Sequence, residues 1–176
     1  MEKKLREKLH GGKFSGVTSE RSRIMRSVKS KENLSTERRL RSALVREGIR
    51  GWRVRPSHLP GKPDFFFPFS RVAVFVDGCF WHGCPKCGHL PSNNRAYWAA
   101  KIKGNRQRDA HNNVALESMS IHVLRFWEHA IRDSPELCII RITLAIDQGS
   151  ASPLTRARES IKIEQAELSG KLGSGH

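Results

Sequence analysis

No apolar run in these 176 residues reaches the ~18–20 needed to cross a bilayer, which excludes a helical membrane protein. No apolar signal segment opens the chain, whose first residues are Met1-Glu2-Lys3-Lys4-Leu5-Arg6, and this predicts a cytosolic protein. Internal repeats and low-complexity tracts are also missing, and 38% hydrophobic with 28% charged residues is a globular composition. Acidic residues are scarce: 17 Asp and Glu against 32 Lys and Arg give a formal net charge of +15. An imbalance of that size points to a polyanionic partner, most often nucleic acid. The alternative is a basic surface that only keeps the chain soluble. Cysteines number four, and in a reducing compartment they read as thiols or metal ligands rather than disulfides.

What is present falls into three parts. Residues 1–20 are polar, basic and glycine-containing and read as a flexible arm; residues 147–176 form a polar tail with room for a short helix near 159–168. Residues 21–146 carry the folded domain. Leu34–Glu47 is predicted as a helix capped by Ser35 or Thr36, stopped by Gly48, with an apolar stripe of Leu40, Leu44 and Val45. Strands are predicted at Trp52–Arg55, Asp64–Phe67 and Val72–Val76, the last a continuous apolar run of the buried type. A basic helix over about 94–119, a strand over 121–127 and a helix over 135–146 complete the domain. The fold class is therefore α/β, a single domain with a mixed central sheet flanked by helices.

A tight turn between the second and third strands sets Asp64 beside Val76 and Asp77. Two carboxylates and the Val76 backbone carbonyl then come within reach of one ion. An all-oxygen set of this kind suits Mg²⁺, and like charges so close need a cation between them. Glu37, on the first helix, is placed to hold a water of such an ion. Taken singly, each acid has a plainer explanation: a turn residue, a solvated strand end, a charge at a helix start.

The segment Gly78-Cys79-Phe80-Trp81-His82-Gly83-Cys84-Pro85-Lys86-Cys87 packs three cysteines into nine residues. Cys84 and Cys87 form a C-x₂-C knuckle, and with Cys79 they ask for a fourth ligand to complete tetrahedral Zn²⁺; His129 is the first choice and His89 the local alternative. A redox pair is the competing reading, and it leaves Cys79 unexplained. Cys138, in an apolar run, reads as an inert core thiol. His82 lies five residues past Asp77 and is a candidate to activate water or protonate a leaving oxygen, with zinc ligation as its alternative. Phe80 and Trp81, joined by Trp98, are candidates for wedges that unstack a duplex at a weak step. Trp52 and Trp127 read as core. Arg95, Lys101, Lys103, Arg106 and Arg108 of the basic helix would contact phosphates without reading sequence.

Leu59-Pro60-Gly61-Lys62-Pro63-Asp64-Phe65, Val74 through Pro85, Tyr97-Trp98 and Phe126-Trp127-Glu128-His129 together resemble the Vsr-type, very short patch repair, DNA mismatch endonucleases. Arg21 through Val28 and Thr36-Glu37-Arg38-Arg39-Leu40 also look like that family's N-terminal part. The resemblance implies a restriction-endonuclease-like fold and a Mg²⁺-dependent single-strand nick 5′ to the thymine of a T·G mismatch, the product of 5-methylcytosine deamination. It implies that Asp64 and the Val76 carbonyl bind Mg²⁺, that His82 is the general acid/base and that Glu37 orients water. It further implies that Phe80, Trp81 and Trp98 intercalate, that Met25 approaches the minor groove, and that Cys79, Cys84, Cys87 and His129 bind structural Zn²⁺. Asp77 stands where some members have histidine, and His129 where some have cysteine. A monomer acting on double-stranded DNA in the bacterial cytoplasm, at the nucleoid, is the implied setting. Mismatch-repair proteins and a cytosine methyltransferase are the implied partners. The rival readings are a zinc-stabilised DNA-binding protein without catalysis, and a nuclease of this fold with a different DNA substrate.

Overall fold

The computed structural model describes residues 5–9 and 35–150. Met25, the rest of the expected arm and the tail beyond 150 lie outside the described residues. The first helix, α1, runs over 35–46, and Gly48 at φ 74 ends it in the left-handed conformation that glycine adopts without strain. Leu40 and Leu44, four residues apart and fully buried, point the helix at the sheet.

Three strands form that sheet: β1 (Phe65–Phe67), β2 (Val72–Asp77) and β3 (His122–Trp127), in the order β1-β2-β3. β1 and β2 pair antiparallel with Phe65 opposite Val74, and β2 and β3 pair parallel with Val72 opposite His122 and Asp77 opposite Trp127. A parallel neighbour needs a crossover, and α2 (Arg95–Ser118) supplies it. Two short steps follow: α3 (Glu128–Asp133) and α4 (Pro135–Ser150), the latter opening on a proline whose fixed φ suits a helix start.

Side-chain alternation divides the core into two layers. Phe65, Phe67, Val72, Val74, Val76, Leu124 and Phe126 face Leu40 and Leu44 of α1 and Ile142 of α4. Phe66, Ala73 and Phe75 face the other way, toward Leu59, Leu116 and Ile121. β2 is consequently buried on every residue, which accounts for its unbroken apolar sequence. α2 buries only Tyr97 and Leu116 of its 24 residues and leaves its basic side outward.

One expectation is corrected. Trp52–Arg55 is no strand: it contributes one bridge, Arg53 to Phe66, with reciprocal N–H···O bonds of 2.7 and 2.8 Å. Arg55 then turns to φ 46, a left-handed conformation that a strand cannot continue through, so the sheet has three strands rather than four. The chain after β3, where no element is predicted before residue 135, is helical. It enters α3 at once, with Trp127 extended as its N-cap, and this brings His129 up against the sheet end. Trp52 does pack as a core residue, edge-on to Phe65 and Phe67 at 6.1 Å.

Candidate active site and metal centre

Because β1 and β2 are antiparallel across a short turn, the residue before β1 lies level with the end of β2. Asp64 there accepts a hydrogen bond from the Val76 backbone N–H at 2.7 Å. Burial pushes the Asp64 carboxyl above its ordinary value; the Val76 amide and the Arg55 charge oppose this, and the charge of Asp77 adds to it. Glu37 comes in from the first turn of α1. Burial and then the charge of Asp64 raise its carboxyl as well, against the pull of Arg55. Arg55 connects the two acids, hydrogen-bonded to Glu37 and 3.5 Å from Asp64 Oδ1. Two desolvated carboxylates, the charge of Asp64 raising Glu37 further, are a donor set fit for a divalent oxygen-seeking ion such as Mg²⁺.

Asp77, the last residue of β2, has its side chain on the α2 side of the sheet and is buried. Both its oxygens are taken by Arg125 of β3, at 2.6 and 2.7 Å, a bidentate fork. His82 Nδ1 lies 3.8 Å from Asp77 Oδ1 and 2.5 Å from Asp109 Oδ2 on α2. Burial alone would raise the Asp109 carboxyl, but the His82 hydrogen bond and the charges of His82, Arg125 and Arg108 outweigh it and hold it below its ordinary value. A carboxylate on Nδ1 fixes the tautomer and leaves Nε2 as the nitrogen that exchanges a proton. Arg55, Asp109 and Arg125 were not singled out from the sequence. Their partners lie 9 to 48 residues away, and no local pattern announces such pairings.

The loop after β2 gathers the second cluster. Its Cys84 N–H bonds Cys79 O at 2.9 Å and its Gly88 N–H bonds Cys84 O at 2.8 Å, the backbone turns that aim sulfurs inward. Cys79, Cys84, Cys87 and His129 offer ligand atoms that all lie within 4.8 Å of one another. His129 Nδ1 is 3.2, 3.6 and 3.4 Å from the three sulfurs, and Cys84 and Cys87 are 3.5 Å apart. Tetrahedral Zn²⁺, with Zn–S near 2.3 Å and Zn–N near 2.0 Å, sets its ligand atoms about 3.5–3.8 Å apart. The donor set therefore fits that ion. Burial and the neighbouring thiols push Cys79 up to about 12, while backbone N–H groups of Cys87 and Lys86 pull Cys84 below its ordinary value despite its burial. A cation is what allows three thiols so close to ionise together. His89, the alternative fourth ligand, instead packs against Phe80 at 6.1 Å.

On the outer side of the same loop the aromatics touch edge to face. Phe80 meets Trp81 at 5.0 Å and Trp98 at 5.3 Å, and Trp81 meets Trp98 at 5.9 Å. All three are half-buried. Asn105 of α2 donates to Trp81 O at 2.8 Å, and a Cβ on Gly83 would strike Ile102 Cγ2 at 2.7 Å, so the loop lies directly on α2. Arg95, Lys103, Arg106 and Arg108 are exposed on that helix and Lys101 is half-buried.

Comparison with known proteins yields a consistent likeness. The family model for DNA mismatch endonuclease Vsr matches residues 17–87. The chain is 40% identical over 116 residues to the type II nicking enzyme V.NaeI of Lentzea aerocolonigenes, which covers 62% of this chain and 68% of that protein. It is 40% identical over 120 residues to the type II nicking enzyme V.XorIIP of Xanthomonas oryzae pv. oryzae, covering 66% and 86%. With the DNA mismatch endonuclease Vsr of Escherichia coli the identity is 32% over 130 residues, covering 73% and 81%.

Proposed function

The chain belongs to the Vsr family of DNA mismatch endonucleases, and from this we propose that it nicks one strand of duplex DNA, with Mg²⁺, 5′ to the thymine of a T·G mismatch. It is a DNA endonuclease. The observation that carries the reading is the meeting of three groups at the end of β2. Asp64 is hydrogen-bonded to Val76 N–H at 2.7 Å, and His82 is 2.5 Å from Asp109 and 3.8 Å from Asp77.

Asp64 and the Val76 carbonyl would hold Mg²⁺, with Glu37 beside them. When bound, Mg²⁺ stabilises charge on the scissile phosphate and lowers the pKa of a water. The rest falls to the chain's own groups. Glu37 orients water, and His82, its Nδ1 occupied by Asp109 with Asp77 alongside, takes or gives a proton through Nε2. Basic side chains of α2 neutralise phosphates. Phe80, Trp81 and Trp98 enter the duplex where stacking is weakest, at the mismatch, with Met25 of the N-terminal segment at the minor groove. Cys79, Cys84, Cys87 and His129 would hold structural Zn²⁺ and so keep the aromatic loop in one shape.

This reading carries with it a restriction-endonuclease-like fold, a 21–146 nuclease domain between a basic arm and a polar tail, and a monomer. It also carries a very short patch repair role in the bacterial cytoplasm at the nucleoid, with mismatch-repair proteins and a cytosine methyltransferase as partners. A second reading, the same chemistry on a different duplex substrate, is favoured by the relatives named only as nicking enzymes. The test is an end-labelled T·G duplex incubated with protein and either Mg²⁺ or EDTA. A nick with Mg²⁺ alone supports the reading; tight binding without a nick under both conditions contradicts it.

A further inference from the structure

Arg125 is the most heavily engaged side chain at the site. Its Nε donates to Asp77 Oδ2 at 2.7 Å and its Nη2 to Asp77 Oδ1 at 2.6 Å. The same Nη2 lies 3.1 Å from Asp109 Oδ1, and Nη1 donates to Asn113 Oδ1 at 3.1 Å. The guanidinium carbon sits 4.5 Å from the centre of the Phe75 ring, which covers one of the two faces that the in-plane hydrogen bonds leave open. β3 thus presents a planar cation, pinned on β2 and α2, to the two carboxylates that face His82.

Those carboxylates differ in what they do. Asp109 uses Oδ2 for His82 Nδ1 and Oδ1 for Arg125, so the carboxylate that orients the histidine is itself oriented. Asp77 spends both oxygens on Arg125 and keeps only a longer approach, 3.8 Å, to His82. A carboxylate held in a bidentate fork turns its best lone pairs away from a metal ion. Asp64 has no such fork. The division of labour follows: Asp64 is the carboxylate toward the ion, and Asp77 belongs to the histidine.

We propose that Arg125 is a positioning residue for the nicking reaction, fixing Asp77 and Asp109 with one guanidinium and, through Asp109, the orientation of His82. The proposal rests on His82 being the proton-transfer group of the reading above. A lysine at 125 keeps the charge and loses the fork, since an ammonium cannot hold two carboxylates and an amide in one plane. A displaced catalytic group of about 1 Å costs roughly 100-fold in rate.

The test compares wild-type protein with Arg125→Lys, full-length and zinc-loaded, in three measurements. They are the single-turnover nicking rate on a T·G duplex, the Kd for that duplex, and the imidazole signals of His82 in long-range ¹H–¹⁵N spectra. The expected result for Arg125→Lys is a rate lower by roughly 10–100-fold, an unchanged Kd and half-saturating Mg²⁺ concentration, and loss of the Nδ1-protonated signature of His82. A variant with wild-type rate, or one whose rate falls while the His82 signals stay as in wild type, overturns the proposal. Should Arg125→Lys fail to fold, the double variant Asp77→Asn/Arg125→Gln, which removes the buried pair together, is judged by the same measurements. If the wild-type protein itself does not nick, the functional reading fails, and the His82 spectra alone decide whether Arg125 positions the histidine.

Discussion

Replacing Cys84 by serine separates the zinc-held loop from the core beneath it. The loop over 78–88 contributes no residue to either hydrophobic cluster. Beside the hydrogen bonds that tie Trp81 O to Asn105 and His82 to Asp109, its aromatic packing consists of three edge-to-face contacts at 5.0, 5.3 and 5.9 Å. Such pairs contribute about 0.5–1.5 kcal/mol each, so roughly 2–4 kcal/mol together. Fixing about ten residues of backbone costs on the order of 10–20 kcal/mol. The aromatics fall short by about the 10–16 kcal/mol that a complete structural Zn²⁺ site supplies. Cys84, the most buried of the four ligands, is the one whose loss the site absorbs least. The Cys84→Ser protein is therefore expected to lose its zinc, measured as metal released to a colorimetric chelator. Its tryptophan emission should shift red as Trp81 and Trp98 leave their contacts. The helical signal and the cooperative melt of the α/β core should persist, because Leu40, Leu44, Val72, Val74 and Ile142 are fully buried in a cluster to which the loop contributes no residue. Nicking should be lost. A variant that keeps full zinc and unshifted emission would refute the reasoning, and so would one whose core melts together with the loop.

Further outcomes follow from the carboxylates and the basic helix. Asp64→Asn keeps an acceptor for the Val76 N–H and removes the charge, so folding and DNA affinity should hold. Its nicking rate should fall by roughly 100-fold or more, the loss expected for about 3 kcal/mol of charge stabilisation. Asp64 and Glu37 have folded-state pKa values raised above their ordinary 3.8 and 4.5. Without a cation the folded protein binds those protons more tightly than the unfolded chain, so stability falls as pH rises through that window and the penalty persists at neutral pH. Mg²⁺ should then raise the melting temperature at neutral pH, with the increment shrinking as pH drops through the window; an increment independent of pH contradicts the assignment. Lys103→Ala and Arg106→Ala, both at exposed positions of α2, should each weaken binding to any duplex and flatten the salt dependence of affinity by about 0.9 in log–log slope per lost phosphate contact. An unchanged slope would remove those residues from the interface.

Much of the architecture was readable residue by residue. Leu40 and Leu44 at helical spacing with Gly48 behind them mark α1, and the run from Val72 to Val76 marks a strand covered on both faces. The error at Trp52–Arg55 has a local cause: alternation of apolar and basic residues imitates a strand, while the left-handed Arg55 that stops pairing leaves no mark in composition. α3 was hidden because Glu128 and His129 follow the apolar strand with no side-chain cap to announce a helix. The cysteine knuckle was legible because thiols at short spacing have few other uses, and the structure brings His129, not His89, to them. The Arg125 fork and the Asp109–His82 pair were illegible. Each joins elements that only the parallel crossover through α2 makes neighbours.

The central claim is a nuclease aimed at one mismatched base. Its most direct measurement is the position and yield of the nick on two labelled duplexes that differ only in one T·G against one T·A pair, with Mg²⁺ present. The account predicts a single nick 5′ to the mismatched thymine and none on the T·A duplex. Equal cutting of both duplexes, or a nick elsewhere than beside that thymine, would contradict it.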